Sequence, residues 1–406
     1  MKKAGVVLAV LLAVLAAAVV LRWEDITRLR AANSLFEPDR IVANFSSMEE
    51  AFLTRDLEVG EAPDFPVDLS PLPDAVGIGG QMRDLAEFLR DTDTTSLLVL
   101  RDGVVVFEDY FLGTGADDQR VSWSVAKSFL SGLVGRAVES GELSLDDTVE
   151  RHVPELADTA YRGVSVRNLL NMASGVRFDE DYFDRGSDIN IMGRKLAMGG
   201  SLDSYAGTLV EREFEPGAFN QYVSMDTHVL GMVLRAATGQ SVSELFEEAY
   251  GQVGLGDVSY MTDGEGEPFV LGGLLMTTRG YAAFGELFRR GGEWDGVQVI
   301  PAEWVAESTP ASAPPVYDAA MSDRTYGYQW WTLPDSGGDG GGVGDYFANG
   351  IYGQTVYVHP RAGVVVVKTS ADREFRERGP SGKAWQIETI EALRGIAEHY
   401  GTAASP

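Results

Sequence analysis

The chain has 406 residues, enough for one large domain or two closely packed ones with a sizeable core. Asp and Glu number 61 against 33 Lys and Arg, a formal charge of −28, and such a surface repels phosphate backbones and anionic lipid, which argues against a nucleic-acid partner. There is no cysteine, so disulfides, thiol catalysis, cysteine-ligated metals and lipid attachment at a cysteine are excluded.

In chain order, Met1-Lys2-Lys3 precedes an uncharged, apolar run from Ala4 to Leu21, near the short end of the about 17 to 25 residues that span a bilayer core. The lysine pair favours an amino end held inside and a body outside. An uncleaved anchor over residues 1–23 is the preferred reading. Cleavage near Ala16-Ala17-Ala18, giving a secreted protein, is the rival. Residues 24–75 read as a connecting segment ending in the proline-rich EAPDFPVDLSPLPDA. A helix is expected over Gln81 to Arg90, then two strands in TSLLVLRDGVVVFEDYFLG turning at Asp102-Gly103. Ser124 to Ser140 has helical spacing, and the pattern stays mainly helical over about 141–274. Beyond it come the helix TTRGYAAFGELFRRGG, the strand-like runs YGYQWWTL, GQTVYVHP and GVVVVKTS, and a closing helix, AWQIETIEALRGIAEHY. Strands at both ends of a helical middle predict a discontinuous α/β unit, about 76–140 and 275–398, with an all-α insertion. The glycine-rich SGGDGGGVGD, residues 336–345, reads as a mobile loop, because a phosphate cradle needs a lysine and a hydroxyl opening a helix.

With 27 serines and six lysines in the chain, the pair Ser124-x-x-Lys127 in VSWSVAKSFLSG is only modestly rarer than chance. Residues three apart share a helix face. A serine hydroxyl must lose a proton to attack a carbonyl, and a lysine accepts one only if its pKa is lowered, as apolar neighbours would do. The helix amino end also directs N–H groups at a developing oxyanion. The competing reading makes Ser124 an N-cap and sends Lys127 out to water. No Gly-x-Ser-x-Gly elbow occurs. None of the four histidines, His152, His228, His359 and His399, has metal-ligand spacing with another, so neither a metal nor a cofactor is expected. A serine enzyme would therefore rely on lysine or tyrosine. Tyr222, just before the helix in EPGAFNQYVSMDTHVLG, is a candidate proton carrier if a neighbouring ammonium lowers its pKa.

SVAKS, LLNMASG, PGAFNQYVSMDTHVLG, GGLLMTTRGYAAFGELFRRGGEWDG with IPAEWV, and NGIYGQTVYVHP follow one another in the order seen in β-lactamase-related serine hydrolases. Over about residues 80–395 the chain resembles that superfamily, most nearly the class C-like branch that includes 6-aminohexanoate-dimer hydrolases and family VIII esterases. The resemblance implies a β-lactamase/transpeptidase-like α/β (α+β) domain over 76–398, with an antiparallel sheet flanked by helices and an all-α subdomain. It implies Ser124 as the acylated nucleophile, Lys127 as its base, and Tyr222 as second proton carrier, with Ser224 in the third place of the Tyr-x-Asn/Ser motif. The backbone N–H groups of Ser124 and Ile351 would form the oxyanion hole. Tyr182, in DEDYFD, resembles a mobile tyrosine that closes over substrate, and Asn349, Gly350 and Tyr352 fall where the family's far wall meets substrate. Where β-lactamases and penicillin-binding peptidases carry Lys-Thr/Ser-Gly, this chain has Ala348-Asn349-Gly350. Loss of that lysine argues against carboxylate-bearing antibiotics and for neutral or cationic esters and short amides.

The expected activity is thus hydrolysis of a small-molecule ester or amide by an extracytoplasmic enzyme tied to the inner (cytoplasmic) membrane. A D-amino-acid peptidase or weak β-lactamase, and a silent envelope binding protein on the same scaffold, are the alternatives.

Overall fold

All seven residues of the strand Val364–Ser370 are buried, and alternate side chains feed two cores. Val365 and Val367 join Leu98, Leu100, Phe284 and Leu287, whereas Val364 and Val366 join Leu97, Val99, Ile390 and Leu393. A strand covered on both faces loses the apolar–polar alternation of a half-solvated one, hence the unbroken GVVVVKTS. The helix Thr278–Arg289 packs on one face and the helix Gly382–Thr402 on the other. The sheet runs Thr325–Tyr326, Trp331–Thr332, Tyr346–Gly350, Gln354–His359, Val364–Ser370, Thr94–Arg101, Val104–Tyr110, antiparallel at every pairing.

The computed structural model describes residues 23–317, 324–333, 344–379 and 382–402. The apolar run expected to be an anchor, and most of the glycine-rich stretch 336–345, lie outside the described residues. Among the described residues no helix is long and apolar enough to cross a membrane.

The hairpin at Asp102-Gly103 is present, with both turn residues at positive φ, 48° and 80°. Two expectations differ. Gln81–Asp84 is a strand paired with Ala75–Ile78, and the helix begins only at Leu85, because the Asp84 carboxylate accepts the Glu87 N–H at 2.7 Å and caps it there. Within the stretch read as helical, Val258–Thr262 is a fully buried strand in a second antiparallel sheet, between Leu53–Leu57 and Leu274–Met276. The segment read as a mere connection supplies Leu53–Leu57 to that sheet and buries Phe45, Phe52, Val59 and Phe65 in the main core. Its proline-rich end hid this. The helices Ala126–Glu139 and Ser224–Thr238 pack against each other and bring their amino ends to one place beside the seven-stranded sheet.

Candidate active site

Ser124 lies in a single turn of 3-10 helix, Trp123–Val125, that leads into the helix Ala126–Glu139. Trp123 adopts φ 41°, a left-handed conformation rarely held by a bulky residue, which marks a backbone constrained by its surroundings. The Ser122 N–H donates to the Leu274 carbonyl at 2.8 Å, pinning the turn to the smaller sheet. One turn on, Lys127 is 1% exposed. Its Nζ lies 3.3 Å from Ser124 Oγ, 3.3 Å from Ser224 Oγ and 2.8 Å from the Leu271 carbonyl oxygen. Burial drives its pKa down to about 7, against an opposing pull from the carboxylates of Glu180 and Asp226. Lys127 does not reach water, so the N-cap-and-snorkel alternative does not describe this lysine.

Tyr222 stacks on Trp331 with ring centroids 5.6 Å apart, and its ring centroid is 5.3 Å from Lys127 Nζ. Tyr222 lines a cavity together with Ser124. The lowered pKa expected for it is not found: burial first, and the Glu180 charge second, push it above its ordinary value, so Tyr222 is a neutral phenol. Ser224, buried, opens the helix Ser224–Thr238, and its backbone N–H donates to the Glu180 carboxylate. An anion at a helix amino end is favourably placed. Burial raises the Glu180 pKa against the opposing charge of Lys127. Beneath them Asp226, fully buried, accepts the Tyr161 hydroxyl at 3.2 Å and is raised by burial to about 8. Neither acid was singled out from sequence. Glu180 sits inside the acidic DEDYFD, where no spacing distinguishes it from three aspartates, and Asp226 looked like one polar position on a helix.

Ser124 is shared by two cavities. The larger, about 730 Å³, is lined among others by Tyr222, Tyr182, Asn349, Ile351, Trp331 and the carboxylates of Asp179, Glu180, Asp181 and Glu213. The second, about 430 Å³, is lined by Ser124, Tyr182, Ser224, Ile351 and Tyr352 together with residues from the amino-terminal segment. Ser124, Lys127, Tyr222, Ser224, Tyr182, Asn349 and Ile351 therefore converge. One residue expected to touch substrate sits differently. Gly350 is buried and lines neither cavity; a Cβ there would lie 2.5 Å from the Ser122 carbonyl oxygen, so the bare backbone is what lets this strand approach the Ser124 turn. Tyr352 is 4% exposed and stacks on Phe36 with ring centroids 5.0 Å apart and an interplanar angle of 9°. None of the histidines lines either cavity; His152 and His228 pair with Asp147 and Asp203 at 2.9 and 2.8 Å. Among the described residues no group of three or more His, Asp or Glu side chains is placed to hold a metal ion.

Residues 82–388 match the family model described as Beta-lactamase. The chain belongs to the beta-lactamase family. It is 30% identical over 304 residues to the 6-aminohexanoate-dimer hydrolase of Paenarthrobacter ureafaciens, covering 72% of this chain and 76% of that relative. The fold is shared with a Bacillus anthracis protein described as a 6-aminohexanoate-dimer hydrolase, at TM-score 0.76 and 24% identity over 90% of this chain and 95% of that one. A family VIII carboxylesterase aligns at TM-score 0.54 and 16% identity, over 77% of this chain and 95% of its own. This beta-lactamase family protein is a serine hydrolase.

The far wall departs from what the resemblance implies for this family's antibiotic-directed members. Ala348, where the resemblance implies the wall lysine, is 1% exposed. The cation instead lies two strands over. Asn349 pairs with Thr355 and Thr355 with Lys368, and the Thr355 hydroxyl donates to Asn349 Oδ1 at 3.2 Å. Lys368 is buried behind the wall against Ser370, and burial lowers its pKa to about 7 despite Asp372 and Asp93 nearby. It lines neither of the cavities that hold Ser124.

Proposed function

We propose that this protein cleaves a small ester or amide through an acyl-serine intermediate, with Ser124 as nucleophile, Lys127 as base and Tyr222 as proton carrier to the leaving group. The observation that carries the reading is the buried Lys127 ammonium, brought to about 7 and held 3.3 Å from Ser124 Oγ. A base is most effective when its pKa is close to the working pH, and lysine reaches that range only by desolvation.

In the acylation step neutral Lys127 removes the Ser124 proton, Oγ attacks the carbonyl carbon, and the backbone N–H groups of Ser124 and Ile351 receive the oxyanion. The carbonyl carbon's bond to the departing oxygen or nitrogen then breaks. Tyr222, a neutral phenol, gives its proton to that atom and is reprotonated from Lys127. Water, deprotonated by the same pair, attacks the acyl carbon, and Oγ leaves with the proton that Lys127 returns. Glu180 acts as a positioning residue, holding the Ser224 end of its helix and biasing Lys127 toward its charged form. The larger cavity is lined by four carboxylates against two guanidiniums, Arg177 and Arg324, and with Ala348 in place of the wall lysine this favours neutral or cationic substrates over carboxylate-bearing ones.

The reading includes export and tethering by the apolar run Ala4–Leu21, which follows Lys2-Lys3. Hydrolysis is tested with p-nitrophenyl esters and linear amides against wild type and Ser124→Ala: turnover abolished in the variant is expected, and equal turnover by both overturns the reading. Tethering is tested by carbonate extraction of membranes from cells making the full chain; release into the soluble fraction overturns it.

A further inference from the structure

The second cavity that holds Ser124, which Tyr222 does not line, is mostly apolar, and its roof precedes the residues that match the family. Its walls include Leu35, Phe52, Met192, Leu196, Phe269 and Leu271, each 7% exposed or less. Charged residues reach it only from the exposed positions Glu37, Arg185, Arg194 and Arg376. Leu29, Ala32 and Phe36 close it from the helix Trp23–Ser34 and the turn that follows, outside the matched range 82–388. That roof is fastened to the catalytic turn. Phe36 lies 5.9 Å from Trp123 and 5.0 Å from Tyr352, ring centroid to ring centroid, so it packs against the neighbours of both Ser124 and Ile351.

The two cavities divide the substrate. A leaving group must meet its proton carrier, and Tyr222 lines the larger cavity but not the apolar one. The departing alcohol or amine therefore belongs in the larger, acidic cavity, and the acyl group in the other. We propose that the apolar cavity is the acyl pocket, that the substrate's acyl part is an uncharged hydrocarbon chain, and that Leu29, Ala32 and Phe36 help to set the length it accepts. The inference rests on the serine-hydrolase reading above. In acylation the Ser124 Oγ–carbon bond forms as the bond to the leaving oxygen or nitrogen breaks, Tyr222 protonating that atom and Lys127 passing the Ser124 proton on to Tyr222, so the hydrocarbon chain stays on the enzyme in this pocket until water releases it.

Gly193, on the helix Asp188–Ala197, lines the pocket, and a Cβ built on it meets nothing within 4 Å. Gly193→Leu adds volume there without a clash at Cβ, and leucine is the better helix former. Ala32→Leu adds volume from the roof. The measurement is kcat/KM for p-nitrophenyl esters from acetate to decanoate, with each protein also treated with a short-chain fluorophosphonate to titrate Ser124. Wild type is expected to gain about fourfold per added methylene until the pocket is full. Both variants should stop gaining at shorter chains than wild type, so that the ratio of decanoate to acetate kcat/KM falls. Ser124 labelling with identical chain-length profiles in all three proteins, or a wild type that prefers acetate throughout, overturns the inference and leaves the hydrolase reading standing. Absence of any Ser124 label overturns both.

Discussion

Lys127 Nζ and Ser124 Oγ lie 3.3 Å apart in a site where the lysine is 1% exposed. Distance makes proton transfer possible, and burial makes it favourable, because the desolvated ammonium surrenders its proton near pH 7 rather than near 10.5. The acid limb of kcat/KM should therefore rise about tenfold per pH unit and level off above about 7, as Lys127 becomes neutral. Lys127→Ala should lower kcat/KM by about 10²–10⁴-fold and remove that limb. A pH–rate profile from 5 to 9 on a neutral ester checks both.

Glu180 faces the same ammonium. Its charge holds the Lys127 pKa up, so Glu180→Gln is expected to move the acid limb to lower pH while an amide oxygen still accepts the Ser224 N–H. Glu180→Ala removes that acceptor as well and should cost about 1 kcal/mol of stability, the usual loss for a missing helix cap. An unmoved limb in the glutamine variant would show that the carboxylate serves only as a cap. The pH profile and a denaturant titration separate the two effects.

Tyr222, neutral because it is buried, matters in proportion to how badly the leaving group needs a proton. Tyr222→Phe should slow linear amides by about 10²–10³-fold and p-nitrophenyl esters by less than about tenfold, since nitrophenolate departs unprotonated. Parallel kcat/KM measurements on the two substrate types reveal the difference. Equal losses would assign the phenol to binding instead.

Lys368 is a second buried amine, lowered to about 7 by desolvation, with no contact to either cavity that holds Ser124. A lysine whose folded pKa is depressed binds fewer protons folded than unfolded between about 7 and 10.5, so stability rises with pH across that window. Lys368→Met should then stabilise the protein by about 1–4 kcal/mol at pH 7 or below. The gain should shrink as pH climbs toward 10.5, above which the wild-type amine becomes neutral in both states. Urea melts at pH 7 and pH 10 measure it.

Much of this site was legible in the residues. The Ser124-x-x-Lys127 spacing, Tyr222 and the absence of an elbow pointed to groups that the fold gathers, and the family resemblance added Ser224; helix periodicity alone sets Ser124 beside Lys127. What escaped depends on tertiary contact. Glu180 becomes special only when its carboxylate meets the amino end of a helix that begins 44 residues later. The phenol of Tyr222 was expected to be lowered by an ammonium, but the ammonium is itself half discharged and the surrounding apolar volume dominates. The segment before residue 75 looked like a connection because prolines punctuate its end, yet its scattered Phe and Leu residues fill the core and roof a pocket. Val258–Thr262 is another such case: a short, fully buried run has no alternation to tell strand from helix.

The central claim is that Ser124 carries the acyl group. Intact-mass spectrometry after rapid acid quench of a slow ester, on wild type and Ser124→Ala, tests it most directly. The account predicts a single added acyl mass on wild type, mapped by peptide digestion to Ser124 and absent from the variant. No adduct on wild type, or the same adduct on Ser124→Ala, would contradict it.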